Sequence, residues 1–332
     1  MVCVIYSDEF LNHDTGAGHP ESPSRLRAVV GHLRQTPYFD SLDWRSPQAV
    51  PEDLAIAPGS GPLMEALLRV HTPDYVAQVK QMTEQGGGWL DEDTPVSPQS
   101  YGVALLAVQA WLDGLAYVLN PSQHPSQSPR HSQDSPNGVP QGFVLARPPG
   151  HHAFPNRGMG FCVFSNAAIA ALEALTRPNI NRVAIVDWDV HHGNGTQAIV
   201  EGHPAIAYCS THQMPTYPHT GSPTPGDRDN HVLNIPIPPG TDFSTYRPRW
   251  ETGVLPFLKT FNPDLLIISA GYDATAADPL AAVNLMPEHY EWLTQSLLIL
   301  NCPILLGLEG GYDVQTLAQC VDHTLRPLIP QG

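Results

Sequence analysis

The chain has 332 residues, of which 42% are hydrophobic and 14% charged, with 35 prolines and 27 glycines. A disordered chain carries more charge and fewer apolar residues, and a collagen-like chain has glycine at every third position, so both classes are excluded. The 16 basic and 32 acidic residues give a formal charge of -16, which is the wrong sign for a protein that neutralises phosphates. We therefore expect no nucleic-acid partner.

Short apolar runs rich in Val, Ile and Leu alternate with helix-like segments, which predicts an α/β fold with a mostly parallel central sheet flanked by helices on both faces. Two segments, Ser100–Leu119 and Phe164–Leu175, have the apolar spacing and alanine content of helices. The clearest predicted strands, in chain order, are Gly142–Ala146, Arg182–Val186, Ala205–Cys209, Leu265–Ser269 and Pro303–Leu308.

The segment 120–141 is rich in Pro, Ser and Gln and lacks the apolar surface needed to order itself. We predict a surface loop inserted between a helix and a strand. A linker between two domains is the alternative, but the strand pattern that completes one sheet continues on both sides. We therefore predict a single domain over residues 1–332.

Cysteine usage and the N-terminal sequence indicate the compartment. Five cysteines are scattered without a C-x-x-C pair, which favours a reducing environment. The opening MVCVIYSDEF has no basic segment and too short an apolar run for a signal peptide. The most apolar stretch, Leu293–Leu308, is interrupted by polar residues and falls short of a membrane span. We expect a cytoplasmic protein without a membrane anchor.

Polar residues of catalytic type directly follow four of the predicted strands. Because the carboxyl ends of neighbouring parallel strands meet in one crevice, these residues should converge on one site. In chain order they are His151 and His152, then Asp187, Asp189, His191 and His192, then Asp273, and finally Glu309 and Tyr312.

The second of these clusters has the spacing of a metal site. Asp187, Asp189 and His191 alternate, so they point to one side if the chain stays extended. Asp273 would add a ligand from another strand and leave a coordination position for water; such a mixed O/N set suits Zn²⁺ and would accept Fe²⁺, Co²⁺ or Mn²⁺. Taken singly, such an Asp is more often a helix N-cap and such a His a core residue, but the joint clusters favour a metal site.

Two further features favour proton transfer and oxyanion binding. His151 and His152 follow prolines that restrict the backbone, and two adjacent imidazoles near a metal-bound water can take its proton and later protonate a leaving amine. Tyr312 follows two glycines that let the backbone turn, so its hydroxyl can reach a developing oxyanion. The alternative for Tyr312 alone is an ordinary half-buried tyrosine.

Several motifs together carry a resemblance to a known family. In chain order they are RPPGHHA, GMGFC, DWDVHHGNGTQ, SAGYDA followed by DPLA, and LEGGYD, with NHDTGAGHPESPSRL near the start. From about Asp8 to Tyr312, outside the 120–141 insertion, the chain resembles the histone deacetylase, acetylpolyamine amidohydrolase and acetoin-utilisation superfamily, nearest its class II-like branch. The resemblance implies an arginase-like α/β domain that hydrolyses acetylamides with one zinc ion. The residues that match the zinc ligands are Asp189, His191 and Asp273, and those that match the catalytic residues are His151, His152 and Tyr312.

The same resemblance implies supporting residues around these side chains. Asp187 matches a carboxylate that orients His151, and with Ser210 it falls where the family holds a monovalent cation, for which K⁺ is the candidate. Asn194 stands where class I relatives have an Asp beside the second histidine. Its neutral amide removes a charge that would raise the pKa of His152, which suits a general base.

Substrate contacts are also implied by the resemblance. Phe161, next to Gly160, matches one aromatic wall of the acyl-lysine tunnel, and Tyr217 stands where the opposite wall is expected. Asp93 resembles the rim carboxylate that grips the substrate backbone. Leu280 stands where a polyamine deacetylase has an acidic gatekeeper, so the sequence gives no support for that specialisation.

The leading hypothesis is a zinc-dependent amidohydrolase that removes acetyl groups from acetyl-lysine or similar N-acetyl amines. One alternative is an acetylpolyamine deacetylase, which the acidic charge favours and Leu280 does not. A ureohydrolase-like enzyme with two Mn²⁺ would need further carboxylate ligands near the first site. A non-catalytic module that binds acylated partners would have lost Tyr312 or one of the paired histidines, and the sequence retains them.

Overall fold

The computed structural model describes residues 1–50, 61–120, 138–223 and 231–329. Most of the predicted insertion, residues 121–137, lies outside the described residues. The surface loop over 120–141 therefore stays a prediction.

Ten strands occur in the described residues, and eight of them form one sheet. Their order across the sheet is β2-β1-β5-β10-β9-β6-β7-β8, and each neighbouring pair is parallel, which confirms the predicted α/β class. The other two strands form a short antiparallel hairpin. The strands are β1 (Val2–Ile5), β2 (Leu42–Arg45), β3 (Gly88–Trp89), β4 (Pro95–Val96), β5 (Gln141–Val144), β6 (Val183–Asp187), β7 (Ile206–Gln213), β8 (Val232–Ile237), β9 (Leu265–Ala270) and β10 (Ile304–Leu308).

Seven of the ten α-helices in the described residues begin where the sequence supplies a local start signal. Five of them have proline in the first turn, where its missing N–H leaves no hydrogen bond unmade. Thr72, Asp242 and Asp313 cap three helices by accepting a backbone N–H. The α-helices are α1 (Pro23–Leu33), α2 (Pro62–Leu68), α3 (Pro73–Glu84), α4 (Ser100–Leu119), α5 (Asn166–Ala174), α6 (Asn194–Val200), α7 (Phe243–Arg249), α8 (Leu255–Phe261), α9 (Pro287–Leu297) and α10 (Val314–Leu325).

The predicted elements are present. Helix α4 has the predicted bounds, and α5 lies inside the predicted 164–175. The five predicted strands correspond to β5, β6, β7, β9 and β10, shifted by a few residues at their ends. Every residue of β6, β9 and β10 is buried, as expected for a parallel sheet covered on both faces.

Helix α4 is the one helix of the described segments that is long and apolar enough to cross a membrane. In the fold, 67% of its most apolar part is buried, and it packs on β5 and β10. Its Trp111 indole lies so close to β10 that a Cβ at Gly307 would fall 1.8 Å from the ring. These contacts are those of a core helix, and a core helix passes the same length and composition test.

Candidate active site

The central strands of the sheet bring the predicted site residues together. Strands β5, β10, β9 and β6 are consecutive neighbours, so the loops that leave their carboxyl ends share one edge of the sheet. Each of these loops carries at least one of the predicted polar residues. Tyr312 follows Glu309 at the same edge. The other residues of this set are all buried, and they are His151, His152, Glu309, Asp273, Asp187, Asp189 and His191.

Asp189, His191 and Asp273 form a group that can hold a metal ion. The Nδ1 atom of His191 lies 3.2 Å from Oδ1 of Asp189 and 3.0 Å from Oδ2 of Asp273. One donor atom from each residue lies within 4.8 Å of the other two. Asp187 does not join this group, because β6 ends at Asp187 and the extended alternation expected from the sequence stops there.

The backbone fixes both carboxylates of this group. Asp189 accepts the N–H of Gly310 at 2.8 Å, and Asp273 accepts the N–H of Val190 at 2.8 Å. Glycines leave room for them: a Cβ at Gly271 would lie 2.0 Å from Oδ2 of Asp189, and one at Gly310 would lie 2.2 Å from Oδ2 of Asp273. The carboxylates are therefore held in place by a backbone that tolerates no side chain there.

The charge balance of the group fits a divalent cation. Burial and the Asp189 carboxylate raise the pKa of Asp273 to about 7. Burial lowers the pKa of His191, but Asp273 and Asp189 outweigh it and raise this pKa to about 10. Two buried carboxylates thus require positive charge between them, and a set of two Asp and one His supplies O and N ligands that suit Zn²⁺.

The paired histidines lie in opposite electrostatic environments. Nδ1 of His151 is 3.2 Å from Asp187, whereas Nδ1 of His152 is 2.8 Å from the amide oxygen of Asn194. Burial lowers the pKa of His151, but Asp189 and Asp187 raise it to about 10. Burial and the neighbouring His151 lower the pKa of His152 well below its usual range. This arrangement favours a neutral base at His152 beside a charged His151.

The two residues implied for a monovalent cation lie side by side on β6 and β7. Asp187 pairs in register with Ser210, and its carboxylate accepts hydrogen bonds from the Tyr208 hydroxyl at 3.0 Å and from the N–H of Asp189 at 3.2 Å. The Ser210 hydroxyl itself lies 2.8 Å from Nδ1 of His212. The structure places the two residues together, and the cation stays a proposal.

A cavity of about 220 Å³ opens onto His152, His191 and Tyr312. Each predicted substrate-binding residue lines this cavity, and Thr216 is an addition that the sequence did not indicate. The remaining lining residues are Asp93, Gly160, Phe161, Thr216, Tyr217 and Leu280.

One wall of the cavity has a strained backbone. Phe161 has a φ of 69°, in the left-handed region that non-glycine residues seldom adopt, and its ring meets Tyr312 edge-on at 5.6 Å. The hairpin of β3 and β4 supports this turn. Asp93 accepts the N–H of Gly160 at 3.1 Å, and the Thr94 hydroxyl accepts the N–H of Phe161 at 3.0 Å. Asp93 therefore fixes the aromatic wall, in addition to its implied place at the rim.

A buried network that the sequence did not predict holds the turn before Tyr312. Arg25 donates to the backbone oxygens of Gly311 and Glu309, and its guanidinium lies 5.1 Å from the centre of the Tyr312 ring. Glu21 bridges Arg25 to a second buried arginine, Arg147.

Two further buried carboxylates accept backbone N–H groups near the site. Asp278 accepts the N–H groups of Tyr312 and Leu280, and Glu309 accepts those of Gly150 and His151.

We expect Glu21→Gln to destabilise the protein by about 3–5 kcal/mol, because it leaves two buried guanidinium groups without their carboxylate. Burial raises the pKa of Glu21, but the charges of Arg147 and Arg25 outweigh this effect and lower the pKa to about 2. The ion pairs therefore stabilise the fold above the unfolded-state pKa, and this contribution is lost as pH falls toward 2. Urea unfolding of both proteins at neutral and acidic pH tests this, and a constant difference across that range would contradict it.

Comparisons with known proteins agree with the fold. The chain matches the histone deacetylase domain family over residues 19–328. It is 51% identical over 99% of its length to an uncharacterized protein of Synechocystis sp., 100% of which is covered. It is 36% identical over 84% of its length to a histone deacetylase-like amidohydrolase of Pseudomonas aeruginosa, 67% of which is covered.

A solved structure extends the likeness to three dimensions. The crystal structure of the HDA15 HD domain matches 98% of this chain and 90% of its own, with a TM-score of 0.84 and 31% identity. These findings confirm the resemblance and the fold class predicted from the motifs. The chain belongs to the histone deacetylase family, whose members in these comparisons are named deacetylases and amidohydrolases.

Proposed function

We propose that the protein is a zinc-dependent deacetylase that hydrolyses acetyl-lysine side chains or similar N-acetyl amines. The observation that carries the proposal is the meeting of His152, Tyr312 and the Asp189, His191 and Asp273 group at one cavity. Asp189, His191 and Asp273 would hold the ion. A Zn²⁺ ion bound there supplies a Lewis acid that polarises the acetyl carbonyl and lowers the pKa of water.

The side chains of this chain then perform the proton transfers. His152, kept neutral by burial, takes a proton from the attacking water as the new C–O bond forms. The Tyr312 hydroxyl donates a hydrogen bond to the oxyanion that develops on the carbonyl oxygen. His151, which carries a proton, gives it to the departing nitrogen as the C–N bond breaks. The products are acetate and a free amine.

The shape of the cavity supports an acylated alkyl amine as substrate. Its walls include the rings of Phe161 and Tyr217, which suit the apolar stem of a lysine side chain. Asp93 lies at the same cavity, where its carboxylate can accept backbone N–H groups of a substrate or attract a substrate ammonium group. Beside the catalytic group, Asp187 and Ser210 are proposed to hold K⁺.

We expect Tyr312→Phe to lower kcat on an acetyl-lysine peptide by about 10²–10³-fold, the cost of losing one oxyanion donor. Bound metal and the thermal unfolding midpoint should stay unchanged, because the ring and its contacts with Phe161 and Arg25 are kept. The matched control is Tyr38→Phe, which removes a hydroxyl that contacts Asp322 away from the cavity. A Tyr312→Phe enzyme within a few-fold of wild type would refute this role.

Substrate preference separates lysine from polyamine deacetylation. Leu280 is 39% exposed and lies at the cavity, where it offers no charge to a second ammonium group. We therefore expect kcat/KM to be higher for an acetyl-lysine peptide than for acetylputrescine in zinc-loaded protein. The reverse order would favour the polyamine enzyme.

Two other results would favour different functions. Undetectable turnover of acetyl, longer acyl and polyamine substrates would favour a non-catalytic acyl-binding module. Two catalytic metals per chain would favour a ureohydrolase-like enzyme.

A further inference from the structure

A second group of buried side chains lies close enough to hold a metal ion. One donor atom from each of His151, Cys162 and Glu309 lies within 4.8 Å of the other two, in the described part of the chain. Their exposed fractions are 3%, 0% and 0%, so this is not a chance cluster of surface acids. We propose that these three residues, the His-Cys-Glu site, bind a second Zn²⁺ ion and that its binding inhibits the enzyme.

The fold brings the three residues together from separate segments. His151 follows β5, and Glu309 follows β10, which pairs in register with β5. Cys162 ends the turn that forms the strained cavity wall, where its N–H donates to the Met159 oxygen at 2.9 Å. The donor atoms therefore sit on segments that the sheet and this turn position independently.

Each residue keeps a donor atom for an ion. Asp187 engages Nδ1 of His151, which leaves Nε2 as the ligand nitrogen. The Cys162 sulfur accepts one long hydrogen bond, 3.4 Å from the N–H of His152, and can still coordinate as a thiolate once its proton passes to solvent. Glu309 is held in place by the N–H groups of Gly150 and His151, and each carboxylate oxygen has further lone pairs.

The donor set and its spacing suit zinc. A set of N, S and O ligands includes a soft thiolate, which favours Zn²⁺ over Mg²⁺ or Ca²⁺. With Zn–N near 2.0 Å and Zn–S near 2.3 Å, tetrahedral ligands lie about 3.5 Å apart. Donor atoms that already lie within 4.8 Å would each have to move by roughly 1 Å to reach that spacing.

The charge of the region favours a second cation. Four fully buried carboxylates lie in or beside the two metal groups. One divalent ion and the proton on His151 offset three of their four negative charges, and a second divalent ion would replace that proton. Opposite charges attract strongly in a buried, low-dielectric setting. The carboxylates are those of Asp187, Asp189, Asp273 and Glu309.

Inhibition follows from the identity of one ligand. An ion on Nε2 of His151 occupies the nitrogen that the proposed function uses to protonate the leaving amine. It also adds positive charge to His151, whose ring centre lies 4.0 Å from that of His152, the residue that takes the proton from water. The inhibition therefore rests on the proposed function, whereas the binding of the ion does not.

Cobalt spectroscopy tests the site directly. We expect one Co²⁺ per chain to bind Asp189, His191 and Asp273 without sulfur ligation, and a second equivalent to produce a near-ultraviolet thiolate-to-cobalt charge-transfer band. Cys162→Ser and Cys162→Ala should lose this band and bind one zinc per chain by native mass spectrometry. The control Cys302→Ser, at a cysteine outside both metal groups, should keep the band and both ions.

An activity titration tests the inhibition. We expect excess Zn²⁺ to lower wild-type kcat by about 10²-fold, the lower range of a general-acid contribution, and to leave Cys162→Ser almost unaffected. Circular dichroism and thermal unfolding show that each variant is folded. A saturated, folded wild type without the thiolate band, or a band that survives in both Cys162 variants, would overturn the site. Inhibition that persists in Cys162→Ser would overturn the regulation. Absence of any deacetylation would refute the proposed function, and the cobalt result would still decide the site.

Discussion

Replacing Asp273 with asparagine is expected to lower kcat/KM by about 10³-fold or more and to remove the metal ion from the group of Asp189, His191 and Asp273. A Lewis acid contributes several kcal/mol to transition-state stabilisation, and about 1.4 kcal/mol is a factor of ten in rate. An amide keeps the size of the carboxylate and its acceptor for the Val190 N–H, so the fold should persist. What it loses is the charge that lies 3.0 Å from Nδ1 of His191.

The stability of the metal-free variant gives an independent readout. Burial and the like charge of Asp189 raise the pKa of Asp273 and outweigh the opposing attraction of His191, so the ionised Asp273 carboxylate is unfavourable in the metal-free site. The substitution removes one of the two charges, so metal-free Asp273→Asn should unfold at no lower temperature than metal-free wild type. One equivalent of zinc should then raise the unfolding temperature of wild type by more than that of the variant.

A control variant separates loss of the site from loss of charge. Asp264→Asn changes a half-buried carboxylate that accepts backbone N–H groups far from the cavity. It should keep one zinc per chain, as measured by elemental mass spectrometry, and wild-type activity. If Asp273→Asn also kept a full zinc complement and near-wild-type kcat/KM, the assigned ligand set would be wrong.

The sequence predicted those parts of the fold that have long, uninterrupted apolar signals. Helix α4 and strands β6, β9 and β10 are such segments, and they were placed within a few residues. Strand β1 is a four-residue run that can equally belong to a helix, and β8 contains Pro236 and is only half buried. Strands β3 and β4 have two residues each, too short for any periodicity.

The same distinction applies to the site. His151, His152, Asp189 and Asp273 lie in the loops that follow recognisable strands, so topology alone brings them to one edge of the sheet. Arg25 donates hydrogen bonds to backbone oxygens 284 and 286 positions away in the chain. No local sequence pattern predicts a contact over such a separation. The left-handed backbone of Phe161 is also invisible in the sequence, because an aromatic residue there contradicts the local preference.

Replacing His152 with alanine is expected to lower kcat by about 10²–10⁴-fold, the range of a general acid-base contribution, with metal content unchanged. His152 lines the cavity but is not one of the grouped metal ligands. The control His71→Gln changes another buried histidine, which accepts the Ser165 N–H outside the cavity lining. This control should retain kcat within a few-fold of wild type in the same steady-state assay. Equal losses in both variants would indicate a structural effect.

The pH profile distinguishes a base from a residue that merely packs. Burial and His151 lower the pKa of His152, and a base must be neutral to accept a proton, so activity should fall on the acid side below the ordinary histidine range. Asn194→Asp would place a carboxylate 2.8 Å from Nδ1 of His152 and stabilise its protonated form. The acid limb of kcat/KM should therefore move to higher pH in this variant. A limb that stays in place would assign the proton acceptor to another group, with His151 as the nearest candidate because the two rings are 4.0 Å apart.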